Sequence, residues 1–267
     1  MDVQQGVADV NGTRLYYEVA GTGAPIALIH GFSLDNRMWD DQFAPFAERH
    51  RVVRYDVRGF GKSAPFGDAP YTHADDLAAL LDHLAIPHAA IIGLSMGGGI
   101  AVNFALAYPA MTSALIPVDA VIGGYQWSEA WKTANGSVRP TARSASINAA
   151  KQLWLDVALF TPAREQPALD ALLAAMVADY SGRHWLGGDP HQNTEPPAID
   201  RLGEIAAPTL VVVGERDMPD FLVVADTLAQ RIPGARKIVL PGVGHMANME
   251  TPEQFNADVL GFLDGIG

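Results

Sequence analysis

The sequence predicts an α/β fold in which helices cover both faces of a mostly parallel sheet. Short apolar runs rich in β-branched residues alternate with longer segments of helical period, and this alternation is typical of strand–helix–strand units. Several runs, such as I-I-G-L and A-L-I-P-V, lack the polar alternation of a half-exposed sheet. They therefore indicate strands that are buried on both faces, as in parallel sheets.

The predicted strands of this sheet are apolar segments bounded by turn residues. They cover residues 26–30, 51–56, 89–94, 114–119, 208–214 and 237–241. Residues 13–19 alternate better between apolar and polar side chains, which is typical of a strand with one solvated face. We therefore expect this segment to start an antiparallel edge of the sheet.

Two of the predicted helices have clear start signals. The segment 72–86 has leucines at helical spacing, Thr72 as its N-cap and acidic residues in its first turn, where they complement the helix dipole. In the last helix Thr251 is the expected cap, Pro252 suits the first turn, and Gln254 would complete a capping box. Helices are thus expected both between the strands and after the last one.

One long segment interrupts the strand pattern. Residues 123–207 contain no strand-like run but several helical and Gly/Pro-rich stretches. We expect a helical cap over 123–207, inserted into a core domain made of 1–122 and 208–267. Four of the five tryptophans lie in this segment and are candidates to line a pocket, although a cap tryptophan is more often simply packed: Trp127, Trp131, Trp154 and Trp185.

Composition narrows the range of partners. The chain of 267 residues has a net charge of −12, and each contact to a phosphate needs a lysine or arginine. Nucleic acid and anionic membranes are therefore not expected as partners. The first ten residues lack the features of a secretory signal, and no run approaches the ~20 apolar residues of a spanning helix, so a cytoplasmic location is expected. The absence of cysteine excludes a thiol nucleophile.

The strongest chemical signal is a serine in a tight turn. Residues 93–97, G-L-S-M-G, join the buried strand pattern A-A-I-I-G-L to a small-residue helix pattern. A strand, a sharp turn and a helix form the context in which G-x-S-x-G exposes a nucleophilic hydroxyl. Glycines are needed on both sides of Ser95 because a Cβ two residues away would collide across the turn. Ser95 is the predicted nucleophile.

A serine hydroxyl needs an imidazole to accept its proton and an acid to orient that imidazole. His245 follows the last predicted strand, and Asp217 follows the strand before it. The resulting chain order of serine, aspartate, histidine is the one expected in this kind of sheet. Asp119, at the end of an earlier strand, is a rival to Asp217 as the acid, and Glu215 is a weaker rival.

The oxyanion formed during acyl transfer needs backbone donors. We expect one from Met96, directly after the nucleophile, and a second from Phe32 in the loop H-G-F that follows the first buried strand. His30 in the same loop is expected to support the loop by hydrogen bonds rather than to act as a base.

No cofactor and no metal are expected. The stretch Y-D-V-R-G-F-G at residues 55–61 has a G-x-G but lacks the rest of a dinucleotide fingerprint, and Arg58 in it is expected to bond to nearby backbone or acids. The sequence has no H-E-x-x-H motif and no carboxylate cluster that would indicate a metal site.

These motifs resemble those of the α/β-hydrolase superfamily over the whole chain outside the cap. The similar segments are I-A-L-I-H-G-F, R-Y-D-V-R-G-F-G-K-S, G-L-S-M-G-G, P-T-L-V-V-V-G-E-R-D and G-V-G-H-M-A-N-M-E-T-P. Together with R-M-W-D-D-Q at residues 37–42 they are most similar to carboxylesterases and 3-oxoadipate enol-lactonases. Dehalogenases and epoxide hydrolases of this fold carry aspartate where this chain has Ser95, which argues against both.

The resemblance implies the α/β-hydrolase fold and a serine hydrolase that cleaves a small to medium ester or lactone through an acyl-enzyme on Ser95. Two activities of the same fold stay open: hydrolysis of C–C bonds in dienone substrates, and cofactor-free perhydrolysis. A third alternative, of another class, is a ligand-binding or receptor protein that keeps the fold with negligible turnover.

Overall fold

The computed structural model describes residues 2–266, in which eight strands form one sheet in the order β1-β2-β4-β3-β5-β6-β7-β8. Strands β3 to β8 are parallel to one another, β2 pairs with β4 in antiparallel fashion, and β1 pairs with β2 in antiparallel fashion. The strands are β1 (Val3–Val10), β2 (Thr13–Ala20), β3 (Ala24–Ile29), β4 (His50–Tyr55), β5 (Ala89–Leu94), β6 (Thr112–Val118), β7 (Leu210–Gly214) and β8 (Arg236–Leu240).

The predicted parallel sheet is confirmed, because each of the six apolar segments forms a strand whose bounds lie within two residues of the expected ones. Every residue of β5 and β7 is buried. This burial explains why these strands have continuous apolar sequences: helices cover both faces, so neither face needs polar side chains.

Residues 13–19 lie in a strand that pairs in antiparallel fashion with β4, as expected, but they do not form the outermost strand of the sheet. Strand β2 pairs with β4 on one side and with β1 on the other, so β1 is the outermost strand. Most of β1 is exposed or half-buried, and it therefore has little apolar pattern. The overlooked signal is the dipeptide Asn11-Gly12, where both residues have positive φ, as a two-residue hairpin turn requires.

The structure contains thirteen α-helices within residues 2–266. They are α1 (Asp40–Ala47), α2 (His73–His83), α3 (Met96–Ala107), α4 (Glu129–Asn135), α5 (Val138–Ser144), α6 (Ile147–Leu155), α7 (Thr161–Arg164), α8 (Pro167–Asp179), α9 (Arg183–Leu186), α10 (Ala198–Arg201), α11 (Pro219–Arg231), α12 (Ala247–Glu250) and α13 (Pro252–Asp264). Short 3₁₀ turns cover Asn36–Trp39, Pro109–Met111, Ala158–Phe160 and Leu202–Glu204.

The predicted helix starts are partly confirmed. Thr72 caps α2, where its hydroxyl accepts the Asp75 N–H at 3.0 Å, and α13 begins at Pro252 as expected. The capping box at α13 is wrong. Thr251 makes no side-chain cap hydrogen bond, and the Gln254 amide bonds to Asp258 instead. The reason is that Thr251 links α12 directly to α13, and its own N–H already donates to the Ala247 carbonyl.

All seven helices from α4 to α10 lie in the connection between β6 and β7, and within the described residues this connection contains no strand. Some of its side chains contact the loop after β3, as when Trp154 packs edge-on against Phe32. The division into a core domain and a cap over 123–207 stays a prediction. Across residues 2–266, none of the helices has the length and apolar character that crossing a membrane requires.

Candidate active site

The predicted site residues lie at one edge of the sheet, where the carboxyl ends of the parallel strands meet. Phe32 follows β3, Ser95 follows β5, Asp217 follows β7 and His245 follows β8. Parallel strands place such ends side by side, which is why ligands bind at this edge in open α/β sheets. Residues far apart in the chain are thereby brought to one place.

Ser95 occupies a strained turn between β5 and α3. Its φ is +57°, which is unfavourable for a residue with a Cβ and is typical of functional sites. The surrounding glycines make the turn feasible: a Cβ on Gly93 would lie 2.1 Å from the Gly97 carbonyl oxygen, and a Cβ on Gly97 would lie 2.2 Å from the Ile29 carbonyl oxygen. The steric requirement inferred from the sequence is therefore present.

His245 is held by Asp217. The imidazole Nδ1 lies 2.8 Å from Asp217 Oδ2, and both side chains are almost fully buried. Because the carboxylate can only accept, we assign the proton to Nδ1, which leaves Nε2 free to accept a proton. Nε2 is buried and makes no hydrogen bond within residues 2–266, and His245 and Ser95 line the same cavity.

Glu250 is a second residue that supports this histidine, in a role that no sequence motif indicated. The Glu250 carboxylate accepts the Gly244 N–H at 2.7 Å and the Met246 N–H at 3.0 Å. It thus holds the residues on both sides of His245. An acid just before a helix start is common because it complements the helix dipole, so the sequence pattern carried no separate signal for this role.

Asp119, the rival acid, lies behind Asp217. Its Oδ1 accepts the Gly214 N–H at 2.8 Å, and its Oδ2 is buried with no partner among the described residues. Burial, reinforced by the negative charge of Asp217, raises the pKa of Asp119 well above its usual value. Asp119 therefore favours its neutral form, whereas orienting an imidazolium requires a charged carboxylate.

Asp119, Asp217 and His245 have ligand-type atoms within 4.8 Å of one another, and no other such group is found within the described part of the chain. The imidazole and Asp217 already satisfy each other by a hydrogen bond. We therefore interpret Asp217 and His245 as a hydrogen-bonded pair with Asp119 beside it, rather than the three as a metal centre.

Two backbone N–H groups are available to bind an oxyanion. Within residues 2–266, neither the Phe32 N–H nor the Met96 N–H donates to a backbone or side-chain acceptor. The Phe32 loop is supported from below by His30, whose Nδ1 donates to the Gly31 carbonyl while its Nε2 accepts the Val57 N–H. Both nitrogens of His30 are thus engaged, which agrees with the supporting role expected for it.

Glu215, the weaker rival as the acid, and Arg58 both lie away from this cavity. Glu215 is exposed, and its carboxylate accepts the Gly242 N–H at 2.8 Å. Arg58 forms a buried ion pair with Asp76 at 2.6 Å and donates to the Asn11 carbonyl. Neither side chain lines the cavity that contains Ser95.

The cavity above Ser95 has a volume of about 420 Å³. Its upper part is formed by the helical connection between β6 and β7, and its walls are mainly aromatic and aliphatic. Trp131, Trp154 and Trp185 line it, and Trp154 is also anchored by a 2.7 Å hydrogen bond to the Ser33 hydroxyl. A mainly apolar pocket with a few convergent polar groups is typical of a small-molecule site.

Comparison with known proteins agrees with this geometry. The model of the alpha/beta hydrolase family matches residues 26–258. The chain is 32% identical over 275 residues to a 2-hydroxy-6-oxononadienedioate/2-hydroxy-6-oxononatrienedioate hydrolase of Paraburkholderia xenovorans, with 98% of this chain and 93% of that protein covered. It is 31% identical over 252 residues to 3-oxoadipate enol-lactonase 2 of Acinetobacter baylyi, covering 91% of this chain and 90% of the relative.

A similar solved structure is that of a thermophilic esterase from Thermogutta terrifontis. The TM-score is 0.82 at 29% identity, and the match covers 98% of this chain and 99% of the esterase. The family match extends over most of the chain, from the first parallel strand to the last helix. The protein is a hydrolase, consistent with ester cleavage, and it belongs to the alpha/beta hydrolase family.

Proposed function

We propose that this hydrolase cleaves a small to medium carboxylic ester or lactone through an acyl-enzyme on Ser95. The observation that carries the proposal is the convergence, in one cavity, of a strained serine turn, a buried histidine held by Asp217, and two backbone N–H groups that have no acceptor among residues 2–266. These are the parts that acyl transfer needs: a nucleophile, a base with its orienting acid, and donors for the oxyanion.

In the proposed first step His245 Nε2 takes the proton of Ser95 as Oγ attacks the substrate carbonyl carbon. The negative charge on the carbonyl oxygen is stabilised by the Phe32 and Met96 N–H groups, and Asp217 stabilises the imidazolium. Collapse of the tetrahedral intermediate breaks the bond to the alkoxide, which takes the proton from His245. Water, activated by the same imidazole, then hydrolyses the acyl-enzyme and restores Ser95.

Two relatives support this substrate class. The similar proteins include an enol-lactonase and an esterase, which cleave acyl–oxygen bonds. The apolar walls of the cavity favour a substrate with some hydrophobic area. The C–C hydrolase among the relatives keeps hydrolysis of dienones as the alternative reaction of the same serine. The cytoplasmic location stays a prediction from the sequence.

The test combines labelling with turnover. A fluorophosphonate should label one residue stoichiometrically, and peptide mapping should place the adduct on Ser95, because an imidazole-activated serine reacts readily with such reagents. Turnover is measured with esters, lactones and a dienone, and perhydrolysis with a peracid assay. We expect turnover of an ester or lactone, and Ser95→Ala should abolish it. Labelling at another residue, or ester hydrolysis by Ser95→Ala within tenfold of the parent, would refute the proposal. Stoichiometric labelling with negligible turnover would favour a binding protein.

A further inference from the structure

A second cavity of about 690 Å³ adjoins the one that contains Ser95. Both cavities are lined by Phe32, Met96, Val121, Trp131 and Arg139, so they lie side by side, and we expect a molecule bound at Ser95 to reach from one into the other. The proposed mechanism uses no group that is confined to the second cavity. Its lining differs in character because it contains three histidines, an aspartate and several amide and hydroxyl side chains.

His184 lines the second cavity, and its ring is buried beside Asp189. Its Nδ1 lies 3.0 Å from the Tyr180 hydroxyl, and its Nε2 is buried without a hydrogen-bond partner in residues 2–266. Asp189 Oδ2, at 3.8 Å from Nε2, is too far for a hydrogen bond but favours a proton on that nitrogen. We therefore assign Tyr180 as the donor to Nδ1, which places the Nε2–H beside Asp189 and makes His184 part of the Asp189 end of the cavity.

The imidazoles in this cavity are neutral near pH 7. Burial lowers the pKa of His184 to about 4 and lowers the pKa values of His73 and His191. His73 stacks on His191 with 4.5 Å between ring centroids, and its Nδ1 is buried without a partner in the described chain. These rings supply hydrogen bonds but no positive charge. Any positive charge has to come from another side chain.

Arg139 supplies that charge. It is the one lysine, arginine, aspartate or glutamate among the residues that line the Ser95 cavity, and it also lines the second cavity. Within residues 2–266 its guanidinium forms no ion pair, in contrast to Arg37, Arg54 and Arg164. A guanidinium carries only donors, so its complement is an acceptor-rich, negatively charged group such as a carboxylate.

The opposite charge of Asp189 limits where such an anion can bind. Its Oδ1 accepts the Tyr71 hydroxyl at 3.0 Å and the backbone N–H of His191 at 3.1 Å, so this carboxylate is already held by the protein. A second carboxylate beside it would be repelled. We therefore expect the anionic group at the Arg139 end of the cavity, among the residues that line both cavities.

We propose that the second cavity binds a carboxylate of the substrate, remote from the bond that is cleaved, with Arg139 as the ion-pair partner. This inference rests on the proposed function and narrows its substrate class to half-esters of dicarboxylic acids, esters of hydroxy acids, or lactones that bear a free carboxylate. Arg139 is thus a specificity-determining residue.

Two pairs of substrates of matched shape test the proposal. Monomethyl adipate is compared with methyl 6-methylheptanoate, which places an isopropyl group where the carboxylate was, and carboxymethyl butyrate is compared with isobutyl butyrate. The readout is the ratio of kcat/KM for the anionic ester to kcat/KM for its neutral partner. Comparing this ratio between enzymes cancels the intrinsic reactivity of each ester. In at least one pair, Arg139→Gln should lower the ratio roughly 10- to 100-fold, the range expected for a hydrogen-bonded charge.

Lys132→Gln is the matched control. It removes one positive charge from the neighbouring helix α4, its ammonium is paired with Glu129 on the surface, and it lines neither cavity. This variant should keep the ratio of the parent. Equal ratios for Arg139→Gln and the parent in both pairs would overturn the proposal, as would an equal loss of the ratio in Lys132→Gln.

Calorimetry separates this proposal from the proposed function. Monomethyl adipate is titrated into Ser95→Ala and into the double variant Ser95→Ala/Arg139→Gln. Binding to these two proteins is measured without turnover. The dissociation constant should rise roughly 10- to 100-fold in the double variant. An unchanged dissociation constant would refute the carboxylate site, whereas a clear rise in a protein whose parent turns over no ester would refute only the catalytic proposal.

Discussion

Asp217 Oδ2 lies 2.8 Å from His245 Nδ1, and the two side chains are 0% and 2% exposed. Asp119 lies beside this pair. Its carboxyl group makes no hydrogen bond to the imidazole within the described residues and instead accepts the Gly214 N–H. The two aspartates that the sequence leaves as rivals therefore have different environments. Asp217 bonds to the imidazole, and Asp119 lies next to Asp217 in a buried site that favours the neutral acid.

Exchanging each aspartate for asparagine should separate their roles. Asp217→Asn is expected to lower kcat by about 10³ to 10⁴, because an amide favours the wrong imidazole tautomer and cannot stabilise its charge. Asp119→Asn should lower kcat by less than about tenfold. Steady-state kinetics on variants with intact thermal unfolding measure both effects. A dead Asp119→Asn beside an active Asp217→Asn would show that the acid belongs to the earlier strand.

Asp119 also predicts a pH dependence of stability. Its pKa is raised in the folded protein, chiefly by burial, so between the unfolded pKa of about 4 and the folded pKa the native state binds more protons. The stability of the parent therefore falls as pH rises through this window. Asparagine imitates the neutral acid, so the unfolding midpoint of Asp119→Asn relative to the parent should increase from pH 4 towards neutral pH. A difference that is constant with pH would contradict the raised pKa.

Removing Glu250 should loosen the loop that carries His245. Glu250→Ala leaves the buried Gly244 and Met246 N–H groups without acceptors, and each orphaned group costs about 1–3 kcal/mol. We expect the free energy of unfolding to fall by at least about 1 kcal/mol and kcat by at least about tenfold. Denaturant unfolding and ester kinetics measure these changes. Glu253→Ala, which removes an exposed acid nearby, should cost less than about 1 kcal/mol and keep kcat; equal effects of the two variants would exclude a specific role for Glu250.

Gly97, two residues after Ser95, should tolerate no side chain. A Cβ at Gly97 would lie 2.2 Å from the Ile29 carbonyl oxygen, whereas a Cβ at Gly261 in α13 would meet nothing within 4 Å. Gly97→Ala should therefore lower the free energy of unfolding by roughly 3 kcal/mol, and Gly261→Ala should raise it by roughly 0.5–1 kcal/mol. Calorimetric unfolding of both variants gives the comparison. A stable, active Gly97→Ala protein would contradict the steric account of the turn.

The sheet and the serine turn were predictable because their signals are local. A strand buried on both faces must be apolar along its whole length, and a sharp turn after β5 needs glycines on both sides of Ser95. Strand β1 was missed because an exposed outer strand needs few apolar side chains and is held mainly by backbone hydrogen bonds to β2. The capping box failed because Thr251 lies between two consecutive helices, a context that the local pattern does not contain.

By itself the sequence determined the order Ser95, Asp217, His245 and the positions of these residues after parallel strands, because the ends of such strands meet at one edge whatever the loops do. Only the tertiary structure decided which aspartate faces the imidazole, and that Glu250 holds the loop on both sides of it. It also brought Arg139 and His184, from separate helices, to one cavity beside the serine. These relations depend on side chains from distant segments meeting at hydrogen-bond distance, and no periodicity or spacing in the chain encodes that contact.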